Sequence, residues 1–374
     1  MRVAVFTDND FEKVNGVTTA LTAVIRRAPP DVLPRIYTAS TLAVDQPDYL
    51  ALAAAGVPIP FYGEMKMYWP SWRELARRIQ ADGVELLHLT TPGPLGLAAL
   101  WVARRTGLPM VGSFHTDLEA YTATLSGSQH LARCMGRYLR WMYRRCGTVL
   151  APSAATRQLL IERGLDGRRI EVWPRGVDTD LFTPVRRSEA LRDQWRVSDR
   201  RPAVAYVGRI SREKGLLQLP GLSDALHHAG LDHRLVFAGD GPLKRELADA
   251  CPDALFLGFL GREAVATVFA SADVFVFPSD TDTAGNVVLE AQAAGLPVLV
   301  SGRGGPRENM QINTSGFICD DPASWLMAAG TLLRDTERRR RMGQAARAYA
   351  MGRRWDVALR PLFEVYRRAG RPSH

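Results

Sequence analysis

Short apolar runs alternate with stretches of helical periodicity along the chain, and this alternation forms two series. In the first half, the apolar runs that end in a polar or glycine-bearing loop include RVAVFTD, LLHLTTP, PMVGSFHT and TVLAPS. In the second half the scheme returns in AVAYVGRI, HRLVFAGDG, ALFLGFL, VFVFPSD and PVLVS. Buried strands that alternate with helices predict parallel sheets with helices on both faces, so two series predict two doubly wound α/β domains.

The length supports two domains, because 374 residues exceed the usual size of one hydrophobic core. We predict a first domain over residues 1–181 and a second over residues 182–355. The second begins with a polar stretch without a strand, 182–202, which precedes the fresh start AVAYVGRI. Residues 356–374 have helical spacing, and we expect them to pack back on the first domain.

Charge and composition limit the classes of binding partner and the compartment that we expect. The net charge of +9 favours anionic partners such as nucleotides or anionic lipid. Nucleic acid is not expected, because zinc-finger spacing and aromatic ribonucleoprotein motifs are absent from the sequence. The start MRVAVFTDND is not a signal peptide, no run reaches the roughly 18 apolar residues of a membrane span, and the four cysteines form no C-x-x-C pair. We therefore expect a cytoplasmic protein with reduced thiols.

Two cations lie in the loop VGRISREKG, which follows a predicted strand. Arg209 comes directly after the strand and Lys214 precedes a glycine. Ligands of open α/β sheets bind beyond the carboxyl ends of the strands, and paired cations in such a loop suit a diphosphate. A solvated basic loop is the alternative.

The stretch FTDNDFEKVNGVTTAL resembles a strand, a loop and a helix start, with Gly16 just before the helix. A glycine at this place lets the backbone approach phosphate, although Asn15-Gly16 is also an ordinary turn sequence. His115 follows PMVGSF at the predicted carboxyl end of a strand, so a catalytic role and a structural hydrogen bond are both open. His88, inside LLHLTTP, is predicted to be a hydrogen-bonded core residue.

A second group of candidates lies in FPSDTDTAGNVVLEAQAAGLPVLVS, residues 277–301. Asp282 precedes the predicted helix, and Glu290 lies about one turn inside it. Gly285, Asn286 and Val287 would present the free amides of the first helical turn to a phosphate. The two carboxylates could accept hydrogen bonds from the hydroxyls of a nucleotide-linked sugar, one from the hexose and one from the ribose.

Two other interpretations of this stretch stay open. Asp282 could cap the helix while Glu290 is solvated. Alternatively, Asp280 and Asp282 could bind a metal as a D-x-D pair, although no third carboxylate or histidine follows at a suggestive spacing.

Taken together, these motifs resemble those of retaining glycosyltransferases of the GT-B fold, family 4. The resemblance rests on YVGRISREKG, FAGDGP, FPSDTDTAGNVVLEAQAAGLPVLVSGRGGPREN, FTDNDFEKVNGVTTAL, FHTD, APSAATRQLL and WPRGVDTDLF, and it covers nearly the whole chain. Within the family, the chain is most similar to mannosyltransferases that use GDP-mannose and to bacterial glycolipid glycosyltransferases. The resemblance implies two Rossmann-like domains that face each other across a cleft.

The resemblance also implies roles for particular residues. Arg209 and Lys214 would hold the donor diphosphate, which Gly16 would approach from the first domain. Asp282 takes the place of the first glutamate of the E-x7-E motif and would contact the donor hexose. Glu290 is the second glutamate of that motif and would bind the ribose.

His115 matches the family histidine near the transferred sugar. Two departures from the family pattern concern the hexose: Asp282 is one methylene shorter than the usual glutamate, and Ala284 replaces a common phenylalanine. Both leave the identity of the donor open.

The implied reaction is the transfer of a hexose, with mannose from GDP-mannose as the first choice, to a hydroxyl of a lipid or glycan acceptor. The anomeric configuration is retained, and neither a metal nor another cofactor is expected. A sugar-nucleotide epimerase or phosphorylase of the same architecture is the enzymatic alternative, and a nucleotide-sugar-binding protein without turnover is the other.

The stretch HLARCMGRYLRWMYRRCG, residues 130–147, is predicted to be a basic amphipathic helix. Such a helix either packs its apolar side within its own domain, which we favour, or lies on anionic lipid at the membrane.

Overall fold

The computed structural model describes residues 1–9, 11, 16–59 and 62–371, and the chain divides into two compact units. The first unit comprises Met1–Pro174 together with Ala358–His374, and the second comprises Arg175–Val357.

The first unit is built on a largely parallel sheet. Its strands and those of a separate antiparallel pair are, in chain order, β1 (Arg2–Phe6), β2 (Leu33–Ser40), β3 (Val44–Gln46), β4 (Tyr49–Ala53), β5 (Gly56–Ile59), β6 (Tyr62–Tyr68), β7 (Leu86–Leu89), β8 (Met110–Ser113), β9 (Thr148–Ala151) and β10 (Ile170–Val172). The sheet order is β10-β9-β8-β7-β1-β2-β4-β3, with β3 antiparallel to β4, while β5 pairs with β6. Every residue of β7 and β8 is buried, which explains their uninterrupted apolar character.

Helices cover this sheet, and most begin with a side-chain cap. They are α1 (Gly16–Arg26), α2 (Trp72–Ala81), α3 (Pro94–Thr106), α4 (Leu118–Ser126), α5 (Gln129–Tyr143) and α6 (Ala154–Glu162). Ser71, Asp117, Ser128 and Ser153 accept a hydrogen bond from the first turn of α2, α4, α5 and α6, respectively.

The second unit contains a parallel sheet. Its strands are β11 (Ala203–Val207), β12 (Arg234–Ala238), β13 (Leu255–Phe256), β14 (Val274–Phe277), β15 (Val298–Ser301) and β16 (Gly316–Cys319). They lie in the order β13-β12-β11-β14-β15-β16. The order reverses between the neighbours β11 and β14, which is where ligands bind to open sheets of this kind.

The helices of the second half complete the fold. They are α7 (Glu189–Trp195), α8 (Leu219–His228), α9 (Lys244–Ala250), α10 (Arg262–Ser271), α11 (Asn286–Ala293), α12 (Pro322–Arg334), α13 (Thr336–Met351), α14 (Trp355–Ala358) and α15 (Arg360–Ala369). Helix α15 belongs to the first unit, where Arg367 pairs with Asp31 and Arg368 with Glu171.

The division differs from the predicted boundaries after residues 181 and 355 by a few residues. Val177 forms a bridge to Arg354 within the second unit, so the chain joins that unit before the polar stretch begins. The stretch 182–202 is not an open linker, because α7 packs there and its buried Arg192 forms a 2.9 Å ion pair with Asp273.

Among the described residues, none of the helices combines the length and the apolar character needed to cross a membrane.

Candidate functional site

The loops that follow β11 and β14 hold most of the predicted site residues of the second unit. Because these strands are neighbours at the point where the strand order reverses, their carboxyl ends bring the two loops together.

The loop after β11 is fixed to the loop after β14 through one carbonyl group. The Glu213 carbonyl oxygen accepts hydrogen bonds from the hydroxyl groups of Ser279 (3.3 Å) and Thr281 (3.0 Å). Gly215, at φ +70°, ends the loop, and a side chain there would overlap the Pro278 carbonyl oxygen. This close approach requires glycine, and it positions Lys214 directly against the second loop.

Lys214 and Asp282 form the central contact of the site. Lys214 Nζ lies 2.7 Å from Asp282 Oδ2, and the two side chains are 14% and 23% exposed. The ammonium group also lies 5.9 Å from the centre of the Phe277 ring. The predicted diphosphate cation and the predicted hexose carboxylate are therefore hydrogen-bonded to each other.

Arg209 is half-buried in the same loop and follows Gly208, the first residue after β11. Its carbonyl oxygen accepts a hydrogen bond from the Tyr206 hydroxyl at 2.8 Å, and the next residue, Ile210, donates its amide to Asp240 in the loop after β12. The backbone around Arg209 is therefore held by two neighbouring strands.

Helix α11 begins without a side-chain cap. Its N-cap is Gly285 at φ +65°, where a side chain would collide with Pro306. Asn286 and Val287 are half-buried in the first turn. The interpretation of Asp282 as the helix cap is wrong, since the carboxylate pairs with Lys214 instead.

The first aspartate of the D-x-D pair, Asp280, has other partners. Asp280 accepts a hydrogen bond from the Ser301 hydroxyl, and Arg303 lies 3.9 Å away. Over the part of the chain that the structure describes, no group of three or more His, Cys, Asp or Glu side chains is arranged to hold a metal ion.

Glu290 is half-buried on α11, not a solvated helix residue. Desolvation raises the pKa of its carboxyl group to about 7; the positive charge of Arg262 opposes this shift and the negative charge of Asp178 adds to it. A carboxylate whose pKa lies this near neutrality is typical of a functional site.

The sequence motifs did not identify the residues that support the start of α11. Asn309 donates its side-chain amide to the Ala284 carbonyl oxygen, and Gln292 donates to the carbonyl oxygens of Asn309 and Val288. The motif GGPREN contains Asn309, but only the fold shows that it reaches back to this helix.

His115 and Gly16 belong to the first unit. His115 lies two residues beyond the end of β8, is half-buried, and contacts the Ser113 hydroxyl through Nε2 at 2.7 Å. Gly16 is the exposed first residue of α1, and its predicted turn partner Asn15 lies outside the described residues. His88 is buried with both ring nitrogens hydrogen-bonded, which confirms the prediction of a core residue.

The basic helix predicted over 130–147 is α5, and it ends earlier, at Tyr143. Gly147, just before β9, already donates its amide to the carbonyl oxygen of Met110, the first residue of β8. Its apolar side is buried in the first unit through Ala132, Leu139 and Met142. The favoured interpretation, packing within its own domain, is confirmed for that side.

Comparisons with known proteins give the family of the chain. The sequence profile of Glycosyltransferase Family 4 matches residues 14–181, and that of Glycosyl transferases group 1 matches residues 187–349. A GDP-mannose-dependent alpha-mannosyltransferase of Corynebacterium glutamicum is 31% identical, over 98% of this chain and 88% of the relative. One of Mycobacterium tuberculosis is 32% identical, over 98% of this chain and 96% of the relative.

Solved structures show the same fold. The crystal structure of Anabaena HepE in complex with UDP-glucose superposes with a TM-score of 0.77 and 19% identity, covering 98% of this chain and all of that chain. The predicted pair of Rossmann-like domains is confirmed, and the epimerase and phosphorylase alternatives are not favoured. Matched along nearly its full length, the chain belongs to glycosyltransferase family 4 and is a glycosyltransferase of the GT-B fold.

Proposed function

We propose that this enzyme transfers mannose from GDP-mannose to a hydroxyl group of a lipid or glycan acceptor, with retention of the anomeric configuration. The observation that carries the proposal is the contact between Lys214 and Asp282 where β11 and β14 end, because it joins a phosphate-binding cation to a sugar-binding carboxylate. The choice of GDP-mannose is supported by relatives of that activity at 31% and 32% identity.

The second unit is suited to stabilise the leaving diphosphate. Arg209 and Lys214 supply two cations, and Asn286 and Val287 supply amides of the first helical turn. Negative charge grows on the phosphate oxygen as the sugar–phosphate bond breaks, and groups already aimed at that charge lower the barrier. The transferase therefore needs no nucleophile of its own for this step.

Retention follows from attack on the face of the leaving group. The acceptor oxygen bonds to the anomeric carbon while the bond from that carbon to the phosphate oxygen breaks. The acceptor proton passes to the departing phosphate, and nucleoside diphosphate is released with the glycosylated acceptor.

The two carboxylates are assigned to different hydroxyl groups of the donor. Asp282, ahead of the helix and next to Lys214, contacts the hexose, and Glu290, one turn inside the helix, accepts from the ribose. Ala284, two residues after Asp282, is small and buried.

We also propose that the reaction is independent of divalent metal. The support is that each carboxylate of the D-x-D pair already has a protein partner, Lys214 for Asp282 and Ser301 for Asp280. Activity should survive EDTA, whereas its loss with EDTA and recovery with Mg²⁺ or Mn²⁺ would contradict this part of the proposal.

The direct test of the function is product analysis. The enzyme is incubated with GDP-, UDP- and ADP-sugars and an extract of lipid acceptors, and products are identified by mass spectrometry. GDP release with a mannosylated acceptor is the expected result. Release of UDP or ADP instead would assign a different nucleotide sugar as the donor in place of GDP-mannose. Binding of a donor without turnover would indicate the nucleotide-sugar-binding protein without catalysis.

We further propose that the enzyme works at the inner face of the cytoplasmic membrane and contacts it through α5. The outer side of this helix exposes Leu131 (46%) and Trp141 (44%), and the Arg145 guanidinium lies 4.1 Å from the centre of the Trp141 ring. Exposed Arg133 and Arg137 add positive charge to the same helix. Apolar side chains among arginines suit the boundary of an anionic bilayer.

Sedimentation with vesicles tests this contact. The protein should bind phosphatidylglycerol vesicles and not phosphatidylcholine vesicles, and Trp141→Ser should weaken that binding. Trp69→Ser, which replaces another exposed tryptophan (51%) of the same unit, is the matched control. Equal losses in both variants would contradict a contact specific to α5.

A further inference from the structure

Four side chains of the first unit form a continuous row of hydrogen bonds that ends at His115. Tyr366 Oη on α15 lies 2.6 Å from His88 Nδ1, and His88 Nε2 lies 2.9 Å from Ser113 Oγ. Ser113 Oγ in turn lies 2.7 Å from His115 Nε2. Tyr366 and His88 are 0% exposed and Ser113 is 1% exposed, so water does not compete for these bonds.

The hydrogen bonds of the row all donate in one direction, from Tyr366 towards His115. Among the described residues, the Tyr366 hydroxyl has a single hydrogen-bond partner, His88 Nδ1. A buried hydroxyl hydrogen without an acceptor is costly, and burial raises the pKa of Tyr366, so the phenol keeps its proton. The Tyr366 O–H therefore donates to His88 Nδ1.

The remaining proton positions follow from this first bond. Since His88 Nδ1 accepts, neutral His88 carries its proton on Nε2 and donates it to Ser113 Oγ. Ser113 Oγ has two partners within the described chain, His88 and His115, and one of them already donates to it. The Ser113 O–H therefore donates to His115 Nε2.

We infer that Tyr366, His88 and Ser113 are positioning residues that hold His115 in the neutral form with its proton on Nδ1. The opposite direction would leave the hydrogen of the Tyr366 hydroxyl without an acceptor. Trp173 supports the arrangement, because its ring packs edge-on against both His88 (6.3 Å between centres) and His115 (5.8 Å).

The consequence for the reaction concerns what His115 offers to a sugar. With Nε2 accepting from Ser113, the ring carries its proton on Nδ1, so at that atom His115 is a hydrogen-bond donor, which suits a hexose oxygen. This consequence rests on the proposed function, whereas the assignment of the proton does not. It also links α15, near the end of the chain, to His115 within the first unit.

The test is the tautomer of His115, measured by long-range ¹H–¹⁵N NMR on the full-length protein labelled with ¹⁵N-histidine. A His115→Gln spectrum identifies the resonances. Wild type should show the Nδ1–H form, and Tyr366→Phe, which removes the first donor and keeps the ring, should shift His115 to a mixture of tautomers. Transferase kcat should fall by roughly threefold to tenfold, with the donor KM nearly unchanged.

Tyr143→Phe is the matched control. Tyr143 is also a buried tyrosine, but its hydroxyl donates to the Ser113 carbonyl oxygen (3.2 Å) and lies outside the row. The control should lose a comparable hydrogen bond and leave the His115 spectrum unchanged.

An Nε2–H tautomer in wild type would overturn the inference, and so would a Tyr366→Phe spectrum identical to that of wild type. The wild-type spectrum alone decides the first point, even where a variant fails to fold. The spectra are recorded without donor, so a failure of mannosyl transfer would refute the proposed function and leave this inference standing.

Discussion

The predicted donor site of the second unit and the hydrogen-bonded row of the first unit differ in the charge and the burial of their side chains. The donor site uses half-buried charges, Lys214 and Asp282, that remain partly exposed to solvent. The row from Tyr366 to Ser113 uses neutral groups that are almost wholly buried. A charged ligand needs counter-charges, whereas a sugar hydroxyl needs a donor or acceptor of fixed direction.

The difference has an energetic reason. Charges that are largely withdrawn from water are costly unless they are paired, and Lys214 and Asp282 are hydrogen-bonded to each other. A neutral row has no such requirement, but each member must be satisfied, because an unpaired group in a low dielectric is costly. The first arrangement keeps its charges partly exposed, while every bond of the second lies among buried groups.

The largest effect is expected from the two cations of the donor site. Arg209→Ala and Lys214→Ala should each reduce kcat/KM roughly thirtyfold to a thousandfold, which corresponds to a loss of about 2–4 kcal/mol of transition-state stabilisation. The reason is that each variant lacks a positive charge predicted to act on the leaving diphosphate. Steady-state kinetics measure this, with circular dichroism to verify folding.

Arg212→Ala is the control for those variants. It removes a cation from the same loop, but one that is 65% exposed and pairs with Glu246. Unchanged turnover in folded Arg209→Ala and Lys214→Ala would show that the loop is only a solvated basic surface.

The next effect separates the two carboxylates. Asp282→Asn should remove most sugar transfer and leave nucleoside diphosphate binding intact, whereas Glu290→Gln should weaken binding of the diphosphate and the nucleotide sugar alike. Each lost hydrogen bond to a charged group amounts to about 1.5–3 kcal/mol, or roughly tenfold to a hundredfold. Calorimetric titration with both ligands measures the difference.

The ion pair sharpens this prediction. Because Asp282 neutralises Lys214, the amide variant frees the ammonium group, so affinity for the plain diphosphate should stay or rise. Asp280→Asn, in the same loop, is the control. If Asp282→Asn loses the diphosphate as badly as Glu290→Gln does, Asp282 is not a hexose contact.

The strands that could be predicted from sequence are those buried on both faces. The nine quoted apolar runs all contain strands, because a strand covered by helices on both sides carries an unbroken apolar pattern. The region from β2 to β6 was not identified: β3 and β5 take part in antiparallel pairs, and the pattern of β2 is mixed. Only two residues of the run ALFLGFL, those of β13, form a strand in the sheet.

The sequence predicts where the residues of the candidate site lie relative to the strands, but it does not predict which side chains contact each other. A loop after a buried strand locates Arg209, Lys214 and Asp282 without any structure. The bond between Lys214 and Asp282 spans 68 residues, and that between His88 and Tyr366 spans 278, so no local pattern encodes either. Both depend on which strands and helices become neighbours.

The smallest expected effect concerns stability, and it separates the charged site from the neutral row. Burial raises the pKa of Glu290 from the ordinary 4.5 to about 7, so ionisation of this carboxyl opposes folding. Well below pH 4.5 the group is protonated in the folded and unfolded chains and has no effect. As pH rises through 7 the folded state bears the full cost, at most about 3 kcal/mol and about 1–2 kcal/mol for a half-buried group.

Glu290→Gln keeps the shape of the side chain and removes that charge. Without ligand it should therefore stabilise the protein at pH 8 by about 1–2 kcal/mol, a few degrees in melting temperature, and by less at pH 5. Thermal denaturation at both pH values measures this, with the exposed Glu263→Gln of α10 as the control for one lost charge. Tyr366→Phe should instead lower stability by about 1 kcal/mol, since it breaks a buried neutral bond. A Glu290→Gln gain that is equal at pH 5 and pH 8 would mean that desolvation of this carboxylate is not its cause, and the contrast between a desolvated carboxylate in the second unit and a satisfied neutral row in the first would fail.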